Sequence, residues 1–162
     1  RRMLSRIQVS LHPSLLFNGI CILSFIIGII KPINRHNKVI PSHKPERYDI
    51  IIFPYKYEED TYYIKRIIGL PGEHVRIDDS GNIYINGKVL KESYGREVIQ
   101  DPGIARDEIT LGEGEYFVLG DNRNNSSDSR DPSVGIIQQK DIIGRAWLQI
   151  YPFDEFGFIR HQ

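Results

Sequence analysis

Two stretches of the 162-residue chain hold residue types in an order that could do chemistry. In the first, Tyr63-Ile64-Lys65-Arg66-Ile67-Ile68-Gly69-Leu70-Pro71-Gly72-Glu73, strand alternation puts Tyr63, Lys65 and Ile67 on one face and Ile64, Arg66 and Ile68 on the other. Both cations therefore sit among apolar neighbours. A lysine taken out of water loses affinity for its proton, and a fall from about 10.4 to about 7–8 makes it a usable general base near neutral pH. That shift corresponds to roughly 3–5 kcal/mol, which only a shielded site supplies. On an exposed edge strand the same pair would be two solvated cations. The second stretch is Leu119-Gly120-Asp121-Asn122-Arg123-Asn124-Asn125-Ser126-Ser127-Asp128-Ser129-Arg130. Glycine, Asx and serine at this density make tight turns whose side chains cap backbone groups, and two arginines alternating with two aspartates offer bidentate ion pairs that fix a loop.

These residues need a framework, and the flanking sequence predicts strands. Tyr48–Pro54 and Thr61–Ile68 are rich in β-branched and aromatic residues and read as a hairpin across the acidic YKYEED stretch, which would pair Lys65 with about Ile50. His74–Asp78 and Asn82–Ile85 alternate apolar and polar residues, with Asn86-Gly87 as the next turn signal. Glu115–Gly120 and Asp141–Tyr151 supply further strands. No long amphipathic helix follows residue 46, so the expected fold is mainly β: a sandwich or partly open barrel of short antiparallel strands.

The N-terminal quarter has a different character. Leu15–Ile30 reads LLFNGICILSFIIGII without a charge, and as a helix it would span roughly 24 Å against a bilayer core of about 30 Å. Arg1, Arg2 and Arg6 precede it and Lys31, Pro32 and Arg35 follow, which suits a membrane-anchor helix better than a buried core helix or a leader's apolar region. The chain thus divides into an N-terminal apolar helix within a cationic segment, 1–36, and a β domain, 37–162. Lys+Arg and Asp+Glu both count 21, but residues 1–45 carry seven cations and no acid, so a net charge of zero hides halves of +7 and −7. A uniformly basic nucleic-acid binder is excluded. One cysteine, Cys21, excludes an internal disulfide and a cysteine zinc site. The five histidines, His12, His36, His43, His74 and His161, lack ligand spacing, and no glycine-rich phosphate loop is present, so neither metal nor nucleotide cofactor is expected.

Taken together the two stretches resemble the bacterial type I signal peptidases, whose signature pairs a K-R-x-x-G-x-P-G-[DE] strand and turn with a G-D-N-R-x-x-S-x-D-S-R loop. The likeness extends over about residues 37–152. It implies a membrane-anchored serine endopeptidase of the Ser–Lys dyad kind, single-pass, with its β domain on the outer face of the cell membrane. Its partners would be membrane lipid and secretory preproteins with small residues before the cut; nucleic acid is not among them. By the same resemblance Lys65 is the general base and Ser126 the hydroxyl that orients its amine. Asp128 with Arg130 and Arg66 forms a salt-bridged frame, and Asp121 lends structural support. The family's nucleophile lies in an S-M-x-P-T-L segment that has no clean copy here. Ser42, after Val39-Ile40-Pro41, keeps the order of anchor before nucleophile and is the favoured candidate; Ser10, in Ser10-Leu11-His12-Pro13-Ser14-Leu15, approximates the segment itself. Without a nucleophile the same framework would be a membrane-tethered domain that binds exported peptides uncut. A cytosolic self-cleaving repressor shares the dyad, but the apolar run and the lack of a helix-turn-helix pattern disfavour it.

Overall fold

A computed structural model describes residues 44–146 apart from Asp60 and Arg96, and the backbone of three short strands at residues 8–10, 148–149 and 157–158. The expected anchor helix at 15–30, and with it the division at residue 36, lie outside the described residues. No helix among the described residues is long and apolar enough to cross a membrane.

The expected antiparallel β architecture is present. Twelve short strands are described: β1 (Gln8–Ser10), β2 (Ile50–Pro54), β3 (Thr61–Gly69), β4 (His74–Ile77), β5 (Ile83–Ile85), β6 (Lys88–Val89), β7 (Ile109–Thr110), β8 (Glu115–Leu119), β9 (Ile137–Gln138), β10 (Gly144–Ala146), β11 (Leu148–Gln149) and β12 (Gly157–Phe158). A six-stranded sheet runs β10-β2-β3-β8-β9 with β1 also paired to β3, a four-stranded sheet runs β6-β5-β4-β7, and β11 pairs with β12.

The β2–β3 hairpin closes where Tyr55 N–H donates to the Thr61 carbonyl at 2.8 Å. Its register sets Ile51 opposite Lys65 and Ile50 opposite Arg66, one residue from the expected pairing, because the turn centres on Glu58. Lys65 keeps its face, since alternation within β3 decides that. Asn86 and Gly87, at φ 51° and 73°, make the tight turn between β5 and β6 that the sequence signalled. The stretch 141–151 is not one strand: a 3-10 turn at Gln139–Asp141 precedes β10, and β11 belongs to another sheet.

β3 and β8 divide two cores. From one face Ile68, Phe117 and Leu119 pack with Val75, Ile77, Ile83, Ile85 and Leu111 of the smaller sheet and its connections. From the other, Tyr63, Ile67, Tyr116 and Val118 pack with Ile51, Phe53, Val134, Ile137 and Ile142. Each fully buried aliphatic or aromatic side chain contributes about 1.5–3 kcal/mol, so a central strand with apolar residues on both faces is held far more firmly than its length suggests. Gly69 lies where the two sheets approach: a Cβ there would stand 2.6 Å from Val75 Cγ2 and 2.8 Å from Leu111 Cδ1. That close approach coincides with the register shift between Ile67 and Gly69 that ends β3's pairing with β8.

Candidate active site

β3 carries Lys65 and Arg66 to opposite faces, as alternation requires. Arg66 is 5% exposed and fully engaged. Its Nε and Nη2 donate to the two carboxylate oxygens of Asp121, each at 2.8 Å, and Nη1 donates to the Tyr48 carbonyl at 3.0 Å. The Tyr94 ring stacks over the guanidinium at 3.7 Å. The expected frame of Asp128 with both arginines is therefore two separate pairs. Leu119 lies opposite Arg66 in the ladder, so Asp121, just beyond it, is the carboxylate within reach. Asp128 is taken by Arg130, whose Nε and Nη2 reach it at 2.8 and 2.9 Å.

The loop after β8 folds back along that strand. Ser129 N–H donates to the Val118 carbonyl at 3.0 Å, and Val118 N–H donates to Ser129 Oγ at 2.9 Å. Asp128, wholly buried, also accepts from Gly120 N–H at 3.0 Å, while Arg130 donates to the carbonyls of Asp101, at 3.1 Å, and of Arg123. Arg123 is 3% exposed, donates through Nε to the Gly120 carbonyl at 3.1 Å, and pairs with Glu92. A buried guanidinium must have a counter-charge, and each of these three has its own.

Lys65 has none. Among the described residues no carboxylate lies in ion-pairing distance of its amine. Burial holds its pKa below the usual lysine value of 10.5; Asp128 and Asp121 pull it upward and Arg130 adds to the lowering. The amine lies 5.0 Å from the centre of the Tyr63 ring, which favours the charged form but does not reverse the direction.

Ser126 lies in the loop that folds back along β8, near the stem of Lys65. Its Oγ is buried and has no hydrogen-bond partner among the described residues. A Cβ on Gly120 would come within 2.1 Å of that oxygen and 3.8 Å of Lys65 Cδ. A side chain at position 120 would displace the serine hydroxyl, whereas its approach to the lysine stem would be ordinary contact; the hydroxyl makes no hydrogen bond to the Lys65 amine in this structure. No group of His, Cys, Asp and Glu among the described residues is arranged to hold a metal ion.

The nucleophile candidates part company. Ser42 lies outside the described residues. Ser10 ends β1, which pairs with β3 itself: Gln8 opposite Tyr63, Val9 opposite Tyr62 and Ser10 opposite Thr61. By strand rise Ser10 is about 13 Å from Lys65 along β3. Among the described residues β1 pairs with residues 61–63 of that edge and β8 with residues 66–69. Glu92 and Tyr94 were not singled out from sequence, and Arg123 only as a loop arginine paired within the loop. The signal was countable nonetheless: three arginines, 66, 123 and 130, compete for the two aspartates of the loop.

The family model described as signal peptidase, peptidase S26, matches residues 7–151, a longer reach than the motifs alone gave. The chain is 33% identical to signal peptidase I of Pseudomonas aeruginosa over 76% of its own length and 55% of that protein. It is 38% identical to a probable signal peptidase I of Synechocystis over 71% and 52%, and 37% identical to signal peptidase I P of Bacillus subtilis subsp. natto over 72% and 63%. It thus spans half to two-thirds of these relatives. A signal peptidase I crystal structure from Enterococcus faecalis, 38% identical, superposes with a TM-score of 0.52 over 64% of this chain and 97% of that one. With the lysine strand, the folded-back loop and the matched span in agreement, the chain belongs to the peptidase S26 family of signal peptidases.

Proposed function

We propose that this chain is the catalytic part of a membrane-anchored serine endopeptidase that removes signal peptides from secretory preproteins on the outer face of the cell membrane. The observation that carries the reading is Lys65: a largely buried primary amine on a central strand, out of ion-pairing distance of any described carboxylate, with the unpartnered Ser126 hydroxyl near its stem. The apolar stretch at 15–30 would hold the domain at the lipid surface where its substrates emerge.

In this mechanism Ser126 orients the free amine of Lys65. The amine accepts the proton of the nucleophilic serine as its Oγ bonds to the scissile carbonyl carbon. The C–N bond then breaks, the leaving amine takes the proton back from Lys65, and water activated by the same amine hydrolyses the ester. An extended substrate added along the edge of β3 at Ile64 and Lys65 would present its carbonyl to the base.

Two serines are available for the attack. Ser42 keeps the anchor-first order of the family. Ser10 has a specific observation in its favour, because β1 is hydrogen-bonded to the strand that carries the base, and the family match begins at residue 7. Cleavage of a model precursor by the full chain in lipid vesicles, with Lys65→Ala, Ser10→Ala and Ser42→Ala beside the wild type, tests both points. Loss of about 10³-fold or more is expected for Lys65→Ala and for one serine, which also loses labelling by a serine-directed acylating inhibitor. A Lys65→Ala protein that cleaves as fast as wild type refutes the reading, and a folded but inert wild type leaves the peptide-binding domain in its place.

A further inference from the structure

The catalytic loop neutralises only one of its own arginines. Asp128 serves Arg130, Asp121 is drawn off to Arg66 on β3, and Arg123 is left to find its counter-charge elsewhere. It finds Glu92, on the segment 90–100 that runs from the end of β6 toward the 3-10 turn at Gly103–Arg106. Both side chains of this pair are at least nine-tenths buried, at 9% and 3% exposure.

The rest of the segment is laid along the same loop. Gly95 packs flat on the Arg123 guanidinium, where a Cβ would come to 3.1 Å. Asn124 donates to the Val98 carbonyl and to Glu97, both at 3.0 Å, and accepts from Gln100 N–H at 3.0 Å. Tyr94 caps Arg66. Arg123 in turn holds the Gly120 carbonyl, and Gly120 is the surface against which Ser126 Oγ and the Lys65 stem rest.

We infer that Glu92 is a positioning residue for the peptidase site: acting through Arg123 and Gly120, it holds the loop that carries Ser126 near the Lys65 stem and limits the access of water to the amine. Residues 90–95 and 97–100 form a strap that ties the catalytic loop to the smaller sheet. The inference rests on the peptidase reading for its importance to cleavage, but its geometry does not depend on which serine attacks. Glu92 is not among the charges that act on the Lys65 amine, which are those of Asp128, Arg130 and Asp121. Its influence is therefore mechanical: loosening the strap hydrates the amine and returns its pKa toward the ordinary lysine value.

The test is made on the full chain with Glu92→Gln, Glu92→Asp and the double variant Glu92→Met/Arg123→Met, which removes both buried charges and so keeps the fold if Glu92→Gln does not. Two quantities are read: the pH dependence of Lys65 acetylation by acetic anhydride, followed by mass spectrometry, and kcat and KM for a precursor peptide. Positioning predicts that Glu92→Gln and the double variant raise the Lys65 midpoint by about one pH unit, a tenfold loss of free amine below it. It also predicts a kcat roughly ten- to a hundredfold lower at near-constant KM, with Glu92→Asp partly restoring both. An unshifted Lys65 midpoint in a folded variant overturns the inference, as does a change confined to KM or to thermal stability. If the wild type does not cleave but the midpoint still moves, the peptidase reading falls and the strap stands.

Discussion

The two faces of β3 present adjacent cations with opposite fates. Arg66 faces the core of the smaller sheet with two bonds to Asp121, one to a carbonyl and an aromatic ring over its plane. Lys65, one residue earlier, faces the other core with a tyrosine ring near its amine and no described carboxylate in reach. A guanidinium cannot give up its proton at any pH a protein meets, so its burial demands partners. An amine can, so depriving it of partners lowers its pKa instead. The same burial thus makes a structural pin of one side chain and a candidate base of its neighbour. A Lys-Arg pair in a strand is not one feature but two, and the partners on each face decide which does which.

The strongest break in that comparison is on the Arg66 face. Arg66→Met would strand Asp121, which is only 19% exposed, and leave Tyr94 without the cation it covers. Removing one member of a buried pair costs about 3–5 kcal/mol, with the lower end expected here because Asp121 keeps some water. Denaturant midpoints of the two variants draw the contrast: Arg66→Met should fall well below wild type, while Lys65→Met should not fall at all. Equal losses in both would mean that the lysine is as fixed as the arginine.

A subtler break is made between the faces, at Gly120. In Gly120→Ala the added methyl would have to occupy the space of Ser126 Oγ, so the serine must swing away and carry the loop with it. A misplacement of about 1 Å in a catalytic group can cost on the order of 10²-fold in rate. The expected outcome is a kcat lowered by about that factor in a protein that still melts cooperatively. Full activity in Gly120→Ala would show that the Ser126 hydroxyl has another place to sit while the base works.

Much of this was legible before any coordinates. Alternation alone assigned Tyr63, Lys65 and Ile67 to one face and Arg66 and Ile68 to the other, because β3 is buried on both sides and a period of two has no competing solution. The loop's tight turns followed from its glycine, Asx and serine content, and its assignment to the site from the resemblance alone. The pairing of its charges was not legible, because ion pairs form by proximity in the fold: Asp121 comes within reach of Arg66 only because the β3–β8 register sets Leu119 opposite Arg66, and Glu92 meets Arg123 between two connecting segments. Strand ends failed where turn chemistry was weak, as at 141–151, which lacks the Asn-Gly type of signal that fixed 86–87. The nucleophile was illegible for a different reason: two serines fit the family pattern imperfectly, and periodicity cannot rank them.

The gentlest probe is pH. With its pKa held down by burial, Lys65 sheds its proton in the folded protein before it does so in the unfolded chain. Below the folded-state value both states carry the proton, and the cost of the buried charge is present in full. Between that value and 10.5 the unfolded chain alone remains protonated, so the unfolding free energy must rise with pH, by up to about 1.4 kcal/mol per unit. In Lys65→Met this contribution is absent. The gap between the two proteins should therefore favour Lys65→Met at neutral pH and close as the solution is made alkaline, a trend that urea titrations from pH 6 to 10 can follow. A gap that stays level across that range would mean that Lys65 titrates as a solvated lysine, and the contrast with Arg66 would reduce to geometry alone.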